Sequence, residues 1–133
     1  MYETLAVWDT IPVNGPSAGM NRFANIWNAA NEIVYSSTLT EVSTVNTTIK
    51  SKFDSVAAHK LIAESEKDFD IGGPHPAAEA IRAGILDELH QLIVPKTIGG
   101  GNYWLPKHVQ AELELEDVRK FKNGTVHLRY KRI

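Results

Sequence analysis

Short apolar runs of strand length alternate along this chain with segments whose apolar residues recur at helical spacing, and that alternation leaves few folds open. Tyr2 to Trp8 reads as a short helix, and residues 10–19, with two prolines and two glycines, as a loop. Met20, Phe23, Ile26, Trp27 and Ala30 then recur as one apolar helix face, with Ser17 placed as its N-cap. Ile33-Val34-Tyr35 predicts a buried strand ending in Ser36-Ser37-Thr38, and the β-branched residues 45–49 a short second strand. Phe53, Val56, Ala57, Leu61 and Ile62 mark another helix face, with Ser51 or Asp54 near its start and an end by Lys67. Phe69-Asp70-Ile71 predicts a strand running into the tight turn Gly72-Gly73-Pro74. Pro74 or Pro76 suits the first turn of the following helix, and Gly84 its stop. Leu89 to Val94 predicts a strand ended by Pro95, and residues 97–106 a glycine-rich loop.

The C-terminal part carries the clearest local pattern. Leu113, Leu115 and Val118 are set among charged residues, Asn123-Gly124 follows, and Val126, Leu128 and Tyr130 alternate again. That pattern is an antiparallel hairpin around an Asn-Gly turn, with one face in water. Strands that alternate with helices imply right-handed crossovers and a parallel sheet. The expected fold is therefore α/β: one mixed, mainly parallel sheet flanked by helices, with a C-terminal antiparallel hairpin. The 133 residues suit a single domain, 1–133, and a chain of this length is expected to bury a substantial core.

Composition removes several function classes. A net charge of −2 gives no basic excess to draw the chain to nucleic acid or an anionic membrane. With no cysteine there is no disulfide, no thiolate metal site and no cysteine nucleophile, which fits the cytoplasm. No apolar run approaches the ~18 residues needed to cross a bilayer, and the N-terminal residues lack the basic start and apolar stretch of a secretory signal. The histidines show no metal-ligand spacing, so no metal site is expected. G-x-S-x-G, G-x-G-x-x-G and the G-x-x-x-x-G-K-[ST] phosphate loop are all absent.

Two places could hold phosphate. The Ile71-Gly72-Gly73-Pro74 turn joins a predicted strand to a predicted helix, whose start presents free N–H groups and partial positive charge. A pyrophosphate would fit there, and His75 could face it; the plainer reading is a turn that needs glycine for packing. Ser36, Ser37 and Thr38 follow a strand, where the hydroxyls could hold a phosphate or an adenosine; the plainer reading is turn and capping chemistry. Asp87-Glu88 would point to opposite faces of a strand and is read as structural. Gly99-Gly100-Gly101 is either a lid or a bend, and Trp8, Trp27 and Trp104 are read as core.

An ordered set of motifs runs through the chain: F-x-x-I-W-x-A at Phe23 to Ala29, V-Y-S-S-T-L at Val34 to Leu39, N-T-T-I at Asn46 to Ile49 and D-I-G-G-P at Asp70 to Pro74. A-G-I-L-D-E-L at Ala83 to Leu89, I-V-P-K-T-I-G-G-G at Ile93 to Gly101 and F-x-N-G-T-V-H-L-R-Y at Phe121 to Tyr130 complete it. With these the chain resembles the dihydrofolate reductase-like family that includes the C-terminal reductase domain of bacterial riboflavin biosynthesis. The resemblance implies a reductase that uses NADPH on a pterin- or pyrimidine-like heterocycle. It places Ser36, Ser37 and Thr38 near the adenosine 2′-phosphate, and Ile71, Gly72, Gly73, Pro74 and His75 around the pyrophosphate. It puts the Gly99 to Gly101 loop on the structural or substrate side, and it leaves the catalytic residue unassigned.

The chain also departs from that pattern. Met1-Tyr2-Glu3 resembles the tail of a G-R-x-x-Y-E motif whose Gly-Arg part is missing, so about the first fifty residues of the family pattern, with its central strand, are expected to be absent. A missing central strand would leave rows of unpaired backbone groups, each costing about 1–3 kcal/mol. The expectation is an N-terminally incomplete domain that is not a well-behaved monomer and completes itself as a homodimer, unless upstream residues or a rearranged sheet close the gap. The alternative to a reductase is a non-catalytic nucleotide-binding or dimerisation module.

Overall fold

The computed structural model describes residues 2–105 and 107–133. Met1 and Pro106 lie outside the described residues, and with them the first residue of the Met1-Tyr2-Glu3 motif and the last of the 97–106 loop. The chain divides into two compact units, the first ending at Asp54 and the second running from Ser55 to Ile133.

In the first unit, helix α1 (Tyr2–Leu5) passes directly into a 3-10 turn (Ala6–Thr10), followed by helix α2 (Ala18–Ala29) and strands β1 (Glu32–Tyr35) and β2 (Thr47–Lys50). Ser17 caps α2 as expected, its side chain accepting the Met20 N–H at 3.4 Å. Replacing Ser17 with Ala should cost about 0.5–1 kcal/mol, measured as a lowered melting temperature, because that donor then has water alone. The expected apolar face of α2 is correct in pattern, but it is not a core. Ala24 is buried, whereas Met20, Phe23 and Ile26 remain exposed. Phe23 packs instead on Trp8, ring centroids 4.5 Å apart, and the Trp27 indole N–H donates to Asp9 at 2.8 Å. β1 and β2 pair in parallel, Glu32 opposite Thr47 and Tyr35 opposite Lys50. β1 is half-buried along its length rather than buried.

The second unit holds helices α3 (Ser55–Ala63) and α4 (Pro74–Arg82) and strands β3 (Glu88–Ile93), β4 (Leu113–Lys120) and β5 (Val126–Arg132). Gly84, with φ +73°, ends α4 as expected: its N–H reaches Ile81 O at 3.1 Å and the Ile85 N–H reaches Ala80 O at 3.1 Å. The three strands form an antiparallel sheet in the order β3-β5-β4. In the hairpin the Gly124 N–H returns to Phe121 O at 3.0 Å, and Gly124 itself takes φ +85°. The Asn-Gly pair thus closes a loop of three residues, a turn followed by one left-handed glycine. The uneven spacing of Leu113, Leu115 and Val118 is a β-bulge: Leu115 faces Tyr130, Asp117 faces Arg129, and Glu116 is the extra residue. Its carboxylate lies 3.5 Å from Arg129. The bulge returns Val118 to the apolar face, opposite Leu128.

Two expectations are corrected. The single mainly parallel sheet is not formed; a two-stranded parallel sheet and a three-stranded antiparallel one stand in its place. Phe69-Asp70-Ile71 is not a strand. A strand exists only as part of a ladder, and among the described residues this segment joins none. The buried apolar residues are correspondingly small or few among the described residues: Ala24, Ala78, Ala80, Ile81 and Leu89. Trp8 and Trp27 are half-buried and Trp104 is exposed, so the last is not a core residue.

Candidate functional site

The first group of predicted site residues sits at the carboxyl ends of the parallel strand pair. The Ser36 N–H donates to Lys50 O at 3.0 Å, carrying the ladder one residue past β1. The Ser36 hydroxyl oxygen then accepts two backbone N–H groups, from Thr38 at 3.3 Å and Leu39 at 3.0 Å. This is the turn chemistry weighed as the plainer reading, and it has a chemical consequence. With both lone pairs engaged, the Ser36 hydroxyl can act outward only as a donor, either to Thr38 Oγ1 at 3.4 Å or to an external acceptor. Ser37 and Thr38 are exposed beside it.

The parallel register adds residues that the sequence reading did not single out. Lys50 lies opposite Tyr35, and Lys52 follows two residues on. Both are exposed, and both come from the strand end adjacent to the Ser36 turn. The N-T-T-I motif ends one residue before Lys50, so the signal was present; only the strand register turns it into a neighbour of Ser36. A donor-only hydroxyl can serve one phosphate oxygen, and the exposed Lys50 and Lys52 belong to the adjacent strand end. Tyr35 packs on Phe53 with centroids 5.2 Å apart, and burial, then Asp54, raises its phenol pKa.

The second group belongs to the second unit. Gly73 is the N-cap of α4, at φ +97° and ψ +138°, with no side-chain cap. Pro74 and Pro76 carry no N–H, so among the four positions that a helix start leaves unpaired, Gly73 and His75 alone offer a donor. The first backbone bond of the helix runs from the Ala77 N–H to Gly73 O at 3.2 Å. His75 is exposed; Ile71, Gly73 and Pro74 are half-buried, and Gly72 is exposed. An uncapped start with few donors and a positive pole fits one small anion. The two groups of predicted residues thus lie in different units.

The remaining candidates separate by geometry. Glu88 Oε2 is 3.0 Å from His90 Nε2, whose Nδ1 is 3.0 Å from His127 Nε2, while Asp87 takes part through its backbone oxygen, accepting the Arg132 N–H at 2.9 Å. Glu88 thus meets His90, while Asp87, just outside β3, is tied in through its backbone. Gly99, Gly100 and Gly101 lie in an exposed loop. Among the described residues no group of three His, Asp or Glu side chains is placed to hold a metal ion, and no helix is long and apolar enough to cross a membrane.

Comparison with known proteins agrees with this architecture. No protein among the curated sequences matches the chain. Among solved structures, one protein from Shewanella sp. PV-4 assigned to riboflavin biosynthesis superposes with a TM-score of 0.66 at 16% identity, covering 79% of this chain and 62% of its own. A pyrimidine reductase-like protein from Corynebacterium diphtheriae superposes with a TM-score of 0.54 at 24% identity, covering 90% of this chain and 47% of its own. The chain thus spans 62% and 47% of the lengths of these two proteins, and at such identities the likeness is one of fold. Residues 70–127 match the family model of the RibD C-terminal domain, a stretch that includes α4, β3, β4 and the Asn-Gly turn. Over residues 70–127 the chain is thus similar to the RibD C-terminal domain family, and over most of its length it shares the fold of these two proteins.

Proposed function

We propose that this chain is the nucleotide-binding portion of a reductase of riboflavin-type biosynthesis, bacterial and cytoplasmic, which uses NADPH on a pterin- or pyrimidine-like heterocycle. The observation that carries the reading is the donor set at the two predicted phosphate positions. The Ser36 hydroxyl is obliged to donate, with Lys50 and Lys52 on the adjacent strand end, and the start of α4 is uncapped at Gly73. Ser36, Ser37, Thr38 and Lys50 would hold the 2′-phosphate. Ile71, Gly72, Gly73, Pro74 and His75 would hold the pyrophosphate, through the Gly73 and His75 N–H groups. When bound, the reduced nicotinamide supplies the hydride. The chain's residues bind and orient the nucleotide, and the substrate class rests on kinship with the pyrimidine reductase-like protein.

A fluorescence titration with NADPH, with NADH as control, tests this directly. The expected result is saturable binding that favours NADPH. Ser36→Ala combined with Lys50→Ala should reduce that preference about 10- to 100-fold, the size of one or two lost hydrogen bonds to a charged group. A wild-type chain that binds both nucleotides equally would remove the 2′-phosphate assignment.

A second reading is favoured by the divided sheet. Where the parallel and antiparallel strands form separate sheets and residues 69–71 are unpaired, the chain could serve as a non-catalytic nucleotide-binding or dimerisation module. Folded chain that binds NADPH yet reduces no pterin or pyrimidine substrate would select it. In either case we propose a homodimer. Leu115 and Val118 are about half exposed on the apolar face of an edge strand, and such strands are open to pairing with another chain. Light scattering should give twice the monomer mass; a sharp-melting monomer would refute the dimer.

A further inference from the structure

One hydroxyl network in the first unit has no part in the reading above. The Tyr2 phenol oxygen accepts the Ser43 N–H at 3.0 Å and the Thr44 N–H at 3.3 Å, and it lies 3.0 Å from Thr44 Oγ1. Thr44 Oγ1 is 2.6 Å from Thr47 Oγ1, and the Thr47 hydroxyl donates to Glu32 Oε2 at 3.4 Å. Counting lone pairs fixes the direction of each proton. Two N–H groups occupy the phenol oxygen as an acceptor, so the phenol proton goes to Thr44. The Thr44 proton then goes to Thr47, and that of Thr47 to Glu32. Thr44, at the middle of this chain, is buried at 8% exposure. The hydrogen bonds from Thr44 and Ser43 lower the Tyr2 pKa, and burial raises that of Glu32.

The position of the network gives it a role. Glu32 and Thr47 open the parallel ladder, and residues 36–46 connect its two strands. That connection is fixed at its start by the Ser36 hydroxyl, and near its end by Tyr2 on Ser43 and Thr44. Tyr2 belongs to α1, so a helix outside the strand pair sets where the connection runs.

We propose that Tyr2 is a positioning residue for the Ser36–Thr38 turn: its hydroxyl holds the β1–β2 connection in the course that presents those hydroxyls to a 2′-phosphate. This rests on the reading of Ser36, Ser37 and Thr38 as the phosphate turn. The test is calorimetric titration of the wild-type chain and Tyr2→Phe with 2′,5′-ADP and with 5′-AMP, which lacks the 2′-phosphate. Tyr2→Phe keeps the ring and removes the hydroxyl. We expect it to weaken 2′,5′-ADP about fivefold or more, the low end of coupling between separate sites, and to leave 5′-AMP unchanged. Equal loss for both ligands, or loss for neither, overturns the proposal while the wild-type preference for 2′,5′-ADP stands. A wild-type chain without that preference overturns the phosphate reading, and this inference with it. Thr44→Val guards against a misfolded variant, since it keeps the Thr44 N–H on Tyr2 and breaks the chain at its buried middle. It should keep the 2′,5′-ADP affinity that Tyr2→Phe loses, because both N–H groups still meet the phenol oxygen; a loss as large as that of Tyr2→Phe would overturn a hold through those N–H groups.

Discussion

Replacing Gly73 with Asp is expected to abolish NADPH binding in a chain that still folds. Gly73 takes φ +97° and ψ +138°, a conformation in which any other residue costs about 1–3 kcal/mol. Melting should therefore fall modestly, within the margin of about 5–15 kcal/mol of an ordinary domain. Binding should fall much further. The substitution puts a carboxylate beside the Gly73 and His75 N–H groups, where it satisfies the helix start itself and repels a second anion. A loss of 100-fold or more is expected, roughly 3 kcal/mol. Gly73→Ala separates the two effects, because it brings the backbone cost without the charge and should retain measurable affinity. Fluorescence titration beside a thermal melt reads both quantities. Normal NADPH binding by Gly73→Asp would remove residues 71–75 from the site.

Ile81→Ala is expected to be the most destabilising of the simple truncations. Ile81 is 5% exposed and shares the buried face of α4 with Ala78 and Ala80. Truncating a buried isoleucine costs about 2–5 kcal/mol, the spread depending on how far the surroundings collapse. Its nearest buried companions on α4 are alanines, with little side chain to move into the space, so the upper half of that range applies. The melting temperature should fall by roughly 10 °C or more. Leu92→Ala is the control, because Leu92 is 65% exposed and its truncation should change stability by less than about 0.5 kcal/mol. Equal effects of the two substitutions would mean that α4 does not carry the core of its unit.

The features that could be read from the residues alone are those decided within a few positions. The Ser17 cap, the Gly84 stop, the end of β3 before Pro95 and the hairpin at Asn123-Gly124 each depend on local backbone chemistry, and each stands where the residues place it. The bulge at Glu116 was not read, although Leu115 and Val118 depart from strict alternation. Features that need a distant partner were not legible. Phe69-Asp70-Ile71 has the composition of a strand, but pairing belongs to two segments and not to one. Met20, Phe23 and Ile26 define an apolar face without defining what covers it. At the candidate site, Ser36 and Gly73 were visible because strand-end hydroxyls and glycine turns have local signatures. Lys50 and the Tyr2 network were not, since one needs the β1–β2 register and the other joins residues about forty positions apart.

The strand order β3-β5-β4 also dictates an order of assembly. Pairing β4 with β5 closes only residues 121–125, while pairing β3 with β5 must close residues 94–125. The longer closure costs roughly 1.5 kcal/mol more in chain entropy, so the hairpin forms first and offers β5 as a template. β3 docks afterwards, and with it the short link around Gly84 that joins it to α4.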